Sequence, residues 1–202
     1  MASDFELLDR WCAGDKRAGD QLVRRHFDSI CGFFENKAGS DMDELVQATF
    51  LACTRAVGQF AKRSSFRTYL FTIARHELYR YWRKRRRDGE ALDFNVTSLV
   101  DLATSPSSLI AKGQRHQLLL QALRELPLES QVMLELHYWE DMDITELAEV
   151  FDVAAGAMRV RLFRARKVLR ERMEKLASDP AAAGTSLDDF DAWARSMQAK
   201  PR

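Results

Sequence analysis

Apolar residues recur at intervals of three and four along most of the chain, and strict alternation of apolar and polar positions is nearly absent. The pattern predicts helices and no sheet. A short helix is expected from Asp4 to Cys12 and a second from Lys16 to Asn36, with Gly19 weakening its first turns. Asp41 resembles an N-cap, and Asp43 and Glu44 suit the positive end of the helix that follows. In that helix Leu45, Val46, Thr49, Phe50 and Cys53 form an apolar stripe. After a loop from Gln59 to Ser65, a long helix is expected from Phe66 to about Arg87.

Residues 88–114 break the pattern. They hold Gly, Thr, Ser and Pro, few charges and no clear period, and read as a linker. Helical spacing resumes near Arg115 with Leu118, Leu119, Ala122 and Leu126, and Pro127 marks the entry to the next helix. Helices are expected from Glu129 to Trp139, from Ile144 to Phe151 and from Ala155 to Leu176. The gap Asp152-Val153-Ala154 is too short for antiparallel packing, so the last two helices must cross steeply as a helix-turn-helix. In the second of them Met158, Leu162, Ala165 and Leu169 make a buried face, and Arg159, Val160, Phe163, Arg164 and Lys167 point away from it. Such a helix suits the major groove of DNA.

The expected architecture is therefore all-α. Two small helical domains, residues 1–87 and 115–176, flank a flexible linker, residues 88–114. Residues 177–202 form a C-terminal extension. Ser186 there is a plausible N-cap, and Leu187, Phe190, Trp193, Ala194 and Met197 form the stripe of a short amphipathic helix.

Charge sharpens this picture. The formal net charge is only +1, yet Lys62 to Arg87 holds ten Lys or Arg residues and one acid, Glu77. A second basic run spans Arg159 to Arg172, whereas acids gather at Asp41 to Glu44 and at Glu129 to Glu149. Basic stripes in a neutral chain suit a protein that meets DNA with some faces and protein with others. Ser64 to Arg87 also mixes its cations with Phe66, Tyr69, Phe71, Tyr79, Tyr81 and Trp82. Unpaired bases stack on such rings, although part of this set must be core.

Other classes recede. No apolar run approaches the roughly 18 residues that span a bilayer, and the acidic opening Met-Ala-Ser-Asp-Phe-Glu lacks the order of a secretory signal, so a cytoplasmic protein without membrane insertion is expected. Cys12, Cys31 and Cys53 form no C-x-x-C pair and are expected to be reduced and buried. His26, His76, His116 and His137 have no zinc-ligand spacing, and no nucleotide-binding or hydrolase motif occurs, so neither enzyme nor cofactor is expected.

Two blocks carry a family resemblance. Asp43-Glu-Leu-Val-Gln-Ala-Thr-Phe50 followed by Ser64-Ser-Phe-Arg-Thr-Tyr-Leu-Phe-Thr-Ile-Ala-Arg75 resembles regions 2.2 to 2.4 of extracytoplasmic-function (ECF) sigma factors of the sigma-70 family. Leu123-Arg-Glu-Leu-Pro127, Ile144-Thr-Glu-Leu-Ala148 and Arg159-Val-Arg-Leu-Phe-Arg-Ala-Arg-Lys-Val-Leu169 resemble their region 4. The resemblance implies a factor that directs promoter-specific transcription by binding core RNA polymerase and promoter DNA, with an anti-sigma factor as a further partner. It implies polymerase docking through Glu44, Leu45, Gln47 and Phe50. It implies capture of the -10 element by Ser64, Ser65, Phe66, Arg67, Tyr69, Arg75 and Arg83, and reading of the -35 element by Arg159, Val160, Phe163, Arg164 and Lys167. The chain departs from the family pattern at Ala48, where an acid is usual, around Ala18 and Gly19, where an aromatic is usual, and at Ala157 and Val160, where Thr and Ser are frequent. The alternative functions are a one-component regulator that binds an operator, and a sigma-like adaptor without initiation activity.

Overall fold

A computed structural model describes residues 2–60, 62–85, 93–102 and 114–176. Among these, nine α-helices and two 3-10 turns form the chain's regular structure. The chain divides between Tyr81 and Trp82 into two units.

The first unit opens with α1 (Asp4–Cys12), α2 (Lys16–Glu35) and α3 (Met42–Ala56), followed by α4 (Phe66–Arg85), whose last turn belongs to the second unit. Each start has a local cause. Ser3 and Glu6 exchange hydrogen bonds as a capping box on α1, the Ser3 hydroxyl accepting from the Glu6 amide at 3.2 Å. Asp15 caps α2 by accepting from the amides of Arg17 at 3.0 Å and Ala18 at 3.2 Å. The Arg10 guanidinium beside Asp15 holds its carboxyl below the usual range. Gly14, at φ +98°, makes the turn between α1 and α2.

Asp41 departs from expectation. It closes a 3-10 turn, Gly39–Asp41, and its side chain caps nothing; instead it accepts a hydrogen bond from the Tyr81 hydroxyl at 2.7 Å. Its carboxylate thus ties the entrance of α3 to the far end of α4.

The core of this unit gathers Leu7 and Leu8 of α1, Leu22, Ile30 and Phe34 of α2, and Leu70, Ala74 and Leu78 of α4. Phe33 meets Phe71 edge to face at 5.7 Å, which joins α2 to α4. At one end, Asp4 binds both Arg25 and His26, the latter at 2.7 Å. Burial pushes the His26 pKa down against the pull of Asp4. All three cysteines are free thiols as expected, but only Cys53 is buried, and burial pushes its thiol up to about 12; Cys12 is exposed and Cys31 half-buried.

The second unit holds α5 (Leu99–Leu102), α6 (Gln114–Arg124), α7 (Leu128–Trp139), α8 (Ile144–Phe151), whose last three residues group with the first unit, and α9 (Ala155–Leu176). Helix α7 is central, with every residue from Gln131 to Tyr138 buried, and α6 and α9 pack against it. Asp143 caps α8 by accepting from the amides of Thr145 at 2.7 Å and Glu146 at 2.9 Å. Asp152 adopts φ 53°, and the Val153 amide donates to the Ala148 carbonyl at 3.0 Å. That left-handed residue and backbone bond close α8 and aim the chain into α9 within three residues.

Residues 93–102, expected as structureless linker, are built into this unit. Pro127 offers no side-chain cap to α7, so its first amides need other acceptors. The Thr97 carbonyl accepts from Leu128 at 2.9 Å, and the Phe94 carbonyl accepts from Glu129 at 3.0 Å. Phe94 and Leu99 bury their side chains. Both ends of the expected linker, residues 88–92 and 103–113, lie outside the described residues, as does the helix expected around Ser186 to Met197.

The weakness expected at Gly19 has a structural reason. A β-carbon there would sit 2.7 Å from Nε1 of Trp11, so α1 and α2 approach closely only because the side chain is missing. Overpacking costs roughly 1–3 kcal/mol, against about 1 kcal/mol gained in helix propensity. Gly19→Ala should therefore lower the urea midpoint of unfolding, and adding Trp11→Ala should turn the same substitution neutral or stabilising. Equal stability of Gly19→Ala and the parent would mean that the indole moves aside freely.

Candidate nucleic-acid and polymerase interfaces

The surface of α9 is sorted by its buried stripe. Met158, Leu162, Ala165, Leu169 and Met173 are buried. The flanking cations are consumed by the fold. Arg161 pairs with Glu129 at 2.7 Å and Arg172 with Glu125 at 3.6 Å. Arg166 donates to His137 Nε2 at 2.8 Å and lies over the Tyr138 ring. The other His137 nitrogen meets the Met142 carbonyl at 2.9 Å, which requires a proton on Nδ1 and leaves Nε2 to accept.

What remains is one outward face. Arg159 and Arg164 are exposed and have no ion pair among the described residues. Lys167 approaches Glu171 only to 4.0 Å, an exposed contact of little energetic weight. Between them stand Val160, 47% exposed, and Phe163, 61% exposed. The structure thus brings together all five residues expected to face DNA on this helix. The first turn, Ala155-Gly156-Ala157, is small, exposed and free of acids, so its backbone can approach a phosphate closely.

The expected -10 residues are not one cluster. Phe66 is 1% exposed, packed 5.5 Å from the His26 ring, and is corrected from a base-facing ring to a core ring. Its place as the first residue of α4 turns it toward α2. Arg75 is buried as well, its guanidinium 5.4 Å from the Tyr79 ring, and Arg83 is exposed about 21 Å along the helix from Tyr69. Ser64, Ser65, Arg67 and Tyr69 do gather at the start of α4. The Ser65 hydroxyl accepts from the Thr68 amide at 3.0 Å and so caps the helix.

This group includes a ring that the sequence alone did not single out. Phe60 stacks on Tyr69 with centroids 4.4 Å apart and planes 27° apart, and both rings are half-exposed. Exposed Arg63 has no ion pair among the described residues, whereas Lys62 is tied to Asp9. Burial pushes the Tyr69 phenol up, so it stays a neutral donor. The one signal for Phe60 in the sequence is its place at the mouth of the basic loop.

On α3, Glu44 and Gln47 are exposed but Leu45 is buried beside Val46, Thr49 and Cys53. Leu45 is thereby corrected from a surface anchor to a packing residue. The exposed apolar side chains of this face are Leu51, 48% exposed, and Phe27 of α2, 45% exposed. Phe27 stacks at 6.0 Å on the half-buried Phe50. Neither Phe27 nor Leu51 stood out in the sequence, since each looks like one more member of its helix's apolar stripe.

These features define a class: a two-unit helical protein with a helix-turn-helix whose outward face carries exposed cations, and a separate apolar, acid-edged helix face. Two family models match the chain, Sigma-70 region 2 over residues 22–88 and Sigma-70, region 4 over residues 116–169, together more than half of its length. Curated relatives include the ECF RNA polymerase sigma-E factor of Haemophilus influenzae, 26% identical over 185 residues, covering 86% of this chain and 97% of that protein. The protein of the same name from Escherichia coli K12 is 25% identical over 183 residues, covering 86% and 96%. Among solved structures, CnrH in complex with the cytosolic domain of CnrY is 24% identical with a TM-score of 0.63, covering 87% of this chain and 100% of that one. The sigma factor RpoE in complex with the anti-sigma factor NepR from Bartonella quintana is 23% identical with a TM-score of 0.59, covering 77% and 96%. The chain belongs to the sigma-70 family, as an ECF-type sigma factor for transcription initiation, and is a non-enzymatic DNA-binding protein. Among the described residues no helix is long and apolar enough to cross a membrane.

The sorting of rings into core and surface is testable by urea denaturation. Phe66→Ala should cost about 3–5 kcal/mol of stability, whereas Phe163→Ala should stay within about 0.5 kcal/mol of the parent. Equal effects would mean that the two rings are not divided as described.

Proposed function

We propose that the initiation factor divides its work among three surfaces. Helix α3 docks on core polymerase through Glu44, Gln47 and Phe50, joined by Leu51 and by Phe27 of α2. In the family resemblance this is the surface that meets the clamp helices of the largest subunit. The start of α4 captures unpaired -10 bases on the Phe60–Tyr69 pair, with Ser64, Ser65, Arg63 and Arg67 around it. Helix α9 reads the -35 element with Arg159, Val160, Phe163, Arg164 and Lys167. Buried Arg75 supports α4 from within, and exposed Arg83 meets the backbone of the same strand away from the stacking site. The protein acts in the cytoplasm, and an anti-sigma factor restrains it; the similar sigma factor RpoE of Bartonella quintana forms a complex with the anti-sigma factor NepR.

The observation that carries this reading is the segregation of surfaces. Arg159 and Arg164, exposed beside apolar side chains and without an ion pair among the described residues, suit a duplex. The apolar patch of Phe27, Phe50 and Leu51, edged by Glu44 and Gln47, suits a protein groove. An operator-binding regulator needs the first surface and not the second. Ala48 removes an acid usual in the docking motif, but it is half-buried and leaves Glu44 and Gln47 exposed.

Leu51→Asp and Glu44→Lys should each weaken recovery of core polymerase at least tenfold while helical circular dichroism is retained. Phe60→Ala should leave polymerase recovery intact and reduce permanganate reactivity of promoter thymines, since base stacking on a ring is worth roughly 1–3 kcal/mol. Wild-type polymerase recovery by the α3 variants would move docking elsewhere. Full promoter opening by Phe60→Ala would remove the stacked pair from base capture.

A further inference from the structure

Val160 and Phe163 are three residues apart on α9 and therefore neighbours on one face. Neither serves the core, and neither carries a hydrogen-bonding group. Arg159, Arg164 and Lys167 surround them, the two guanidiniums without an ion pair among the described residues.

We propose that Val160 and Phe163 read the 5-methyl groups of thymines on adjacent base pairs in the upstream promoter element. This rests on the reading that α9 enters the duplex, and it names what is recognised there. An apolar pair set among exposed cations needs a partner that offers apolar contacts and anionic or acceptor groups within a few ångströms. A protein groove would have to bury two guanidiniums to reach the apolar pair, and each would then need an acid. The major groove supplies both requirements at once. Phosphates and guanine edges meet the arginines, and the thymine methyl is the one apolar feature the groove displays. The spacing also fits. Residues 160 and 163 are about 4.5 Å apart along the helix axis, close to a base-pair step of roughly 3.4 Å.

The test uses full-length protein on core polymerase and duplexes selected by that complex from a randomised upstream element. Each selected thymine in that element is then replaced by deoxyuridine, which removes the methyl and keeps every hydrogen-bonding group. Two adjacent positions should lose affinity by roughly fourfold each, the value of one buried methyl-sized group. Deoxyuridine elsewhere should be silent. Val160→Ala should abolish the sensitivity at one position and Phe163→Ala at its neighbour, with circular dichroism melting unchanged because both side chains are exposed. Val160→Thr, which keeps one methyl, should retain part of it. Equal binding of thymine and deoxyuridine duplexes, with a specific element still selected, would overturn the methyl reading and leave α9 as the DNA reader. Sensitivity that survives the double variant would place the contact on another residue and overturn it as well. Failure to select any upstream element would overturn both this inference and the reading it rests on.

Discussion

The burial of one narrow stripe on α9 governs what the second unit can do. Met158, Leu162, Ala165, Leu169 and Met173 occupy one side of the helix, packed in a unit where α6 and α7 are its neighbours. A helix turns 100° per residue, so rotating it by a single position would bury an arginine in place of an apolar residue. The flanks lock the same orientation. Arg161 on Glu129, Arg172 on Glu125 and Arg166 on His137 act as guy-ropes at the edges of the stripe. The two ion pairs, Arg161 with Glu129 and Arg172 with Glu125, are half-exposed and contribute little energy. Their value lies in direction, because they use up the lateral cations and leave Arg159 and Arg164 outward.

The same division of labour explains a net charge near zero. In the first unit the aromatic residues separate by depth. Phe66 and Phe71 fill the core, Phe60 and Tyr69 stack at the surface, and Phe27 and Phe50 stack on a different face. Acids stand near the patch assigned to protein, and cations near the loop assigned to DNA. A uniformly basic chain would bind nucleic acid without discrimination.

The helices were legible because their stripes are long and regular. The termini of α1, α8 and α9 fall where the capping residues and short gaps put them, and the helix-turn-helix followed from the three-residue gap alone. Three things were not legible. Ring depth was hidden because Phe66 and Tyr69 sit three residues apart in one basic segment, and only the packing of α4 on α2 separates them. Surface patches assembled from two helices, such as Phe27 with Phe50, have no signal in either helix by itself. The segment 93–102 lacked a period because it is held by its backbone carbonyls, which cap α7 in place of the side chain that Pro127 cannot supply. Asp41 misled for a related reason: an acid before a helix usually caps it, but here Tyr81 competes for the carboxylate.

Transcription itself tests the central claim most directly. Core polymerase, the full-length protein and a pool of genomic fragments are combined, and the 5′ ends of run-off transcripts are mapped. The account predicts discrete start sites that need both components and share upstream elements at a fixed spacing. Fragments retained by the protein without any transcript would contradict it, and would make the chain a DNA-binding adaptor rather than an initiation factor.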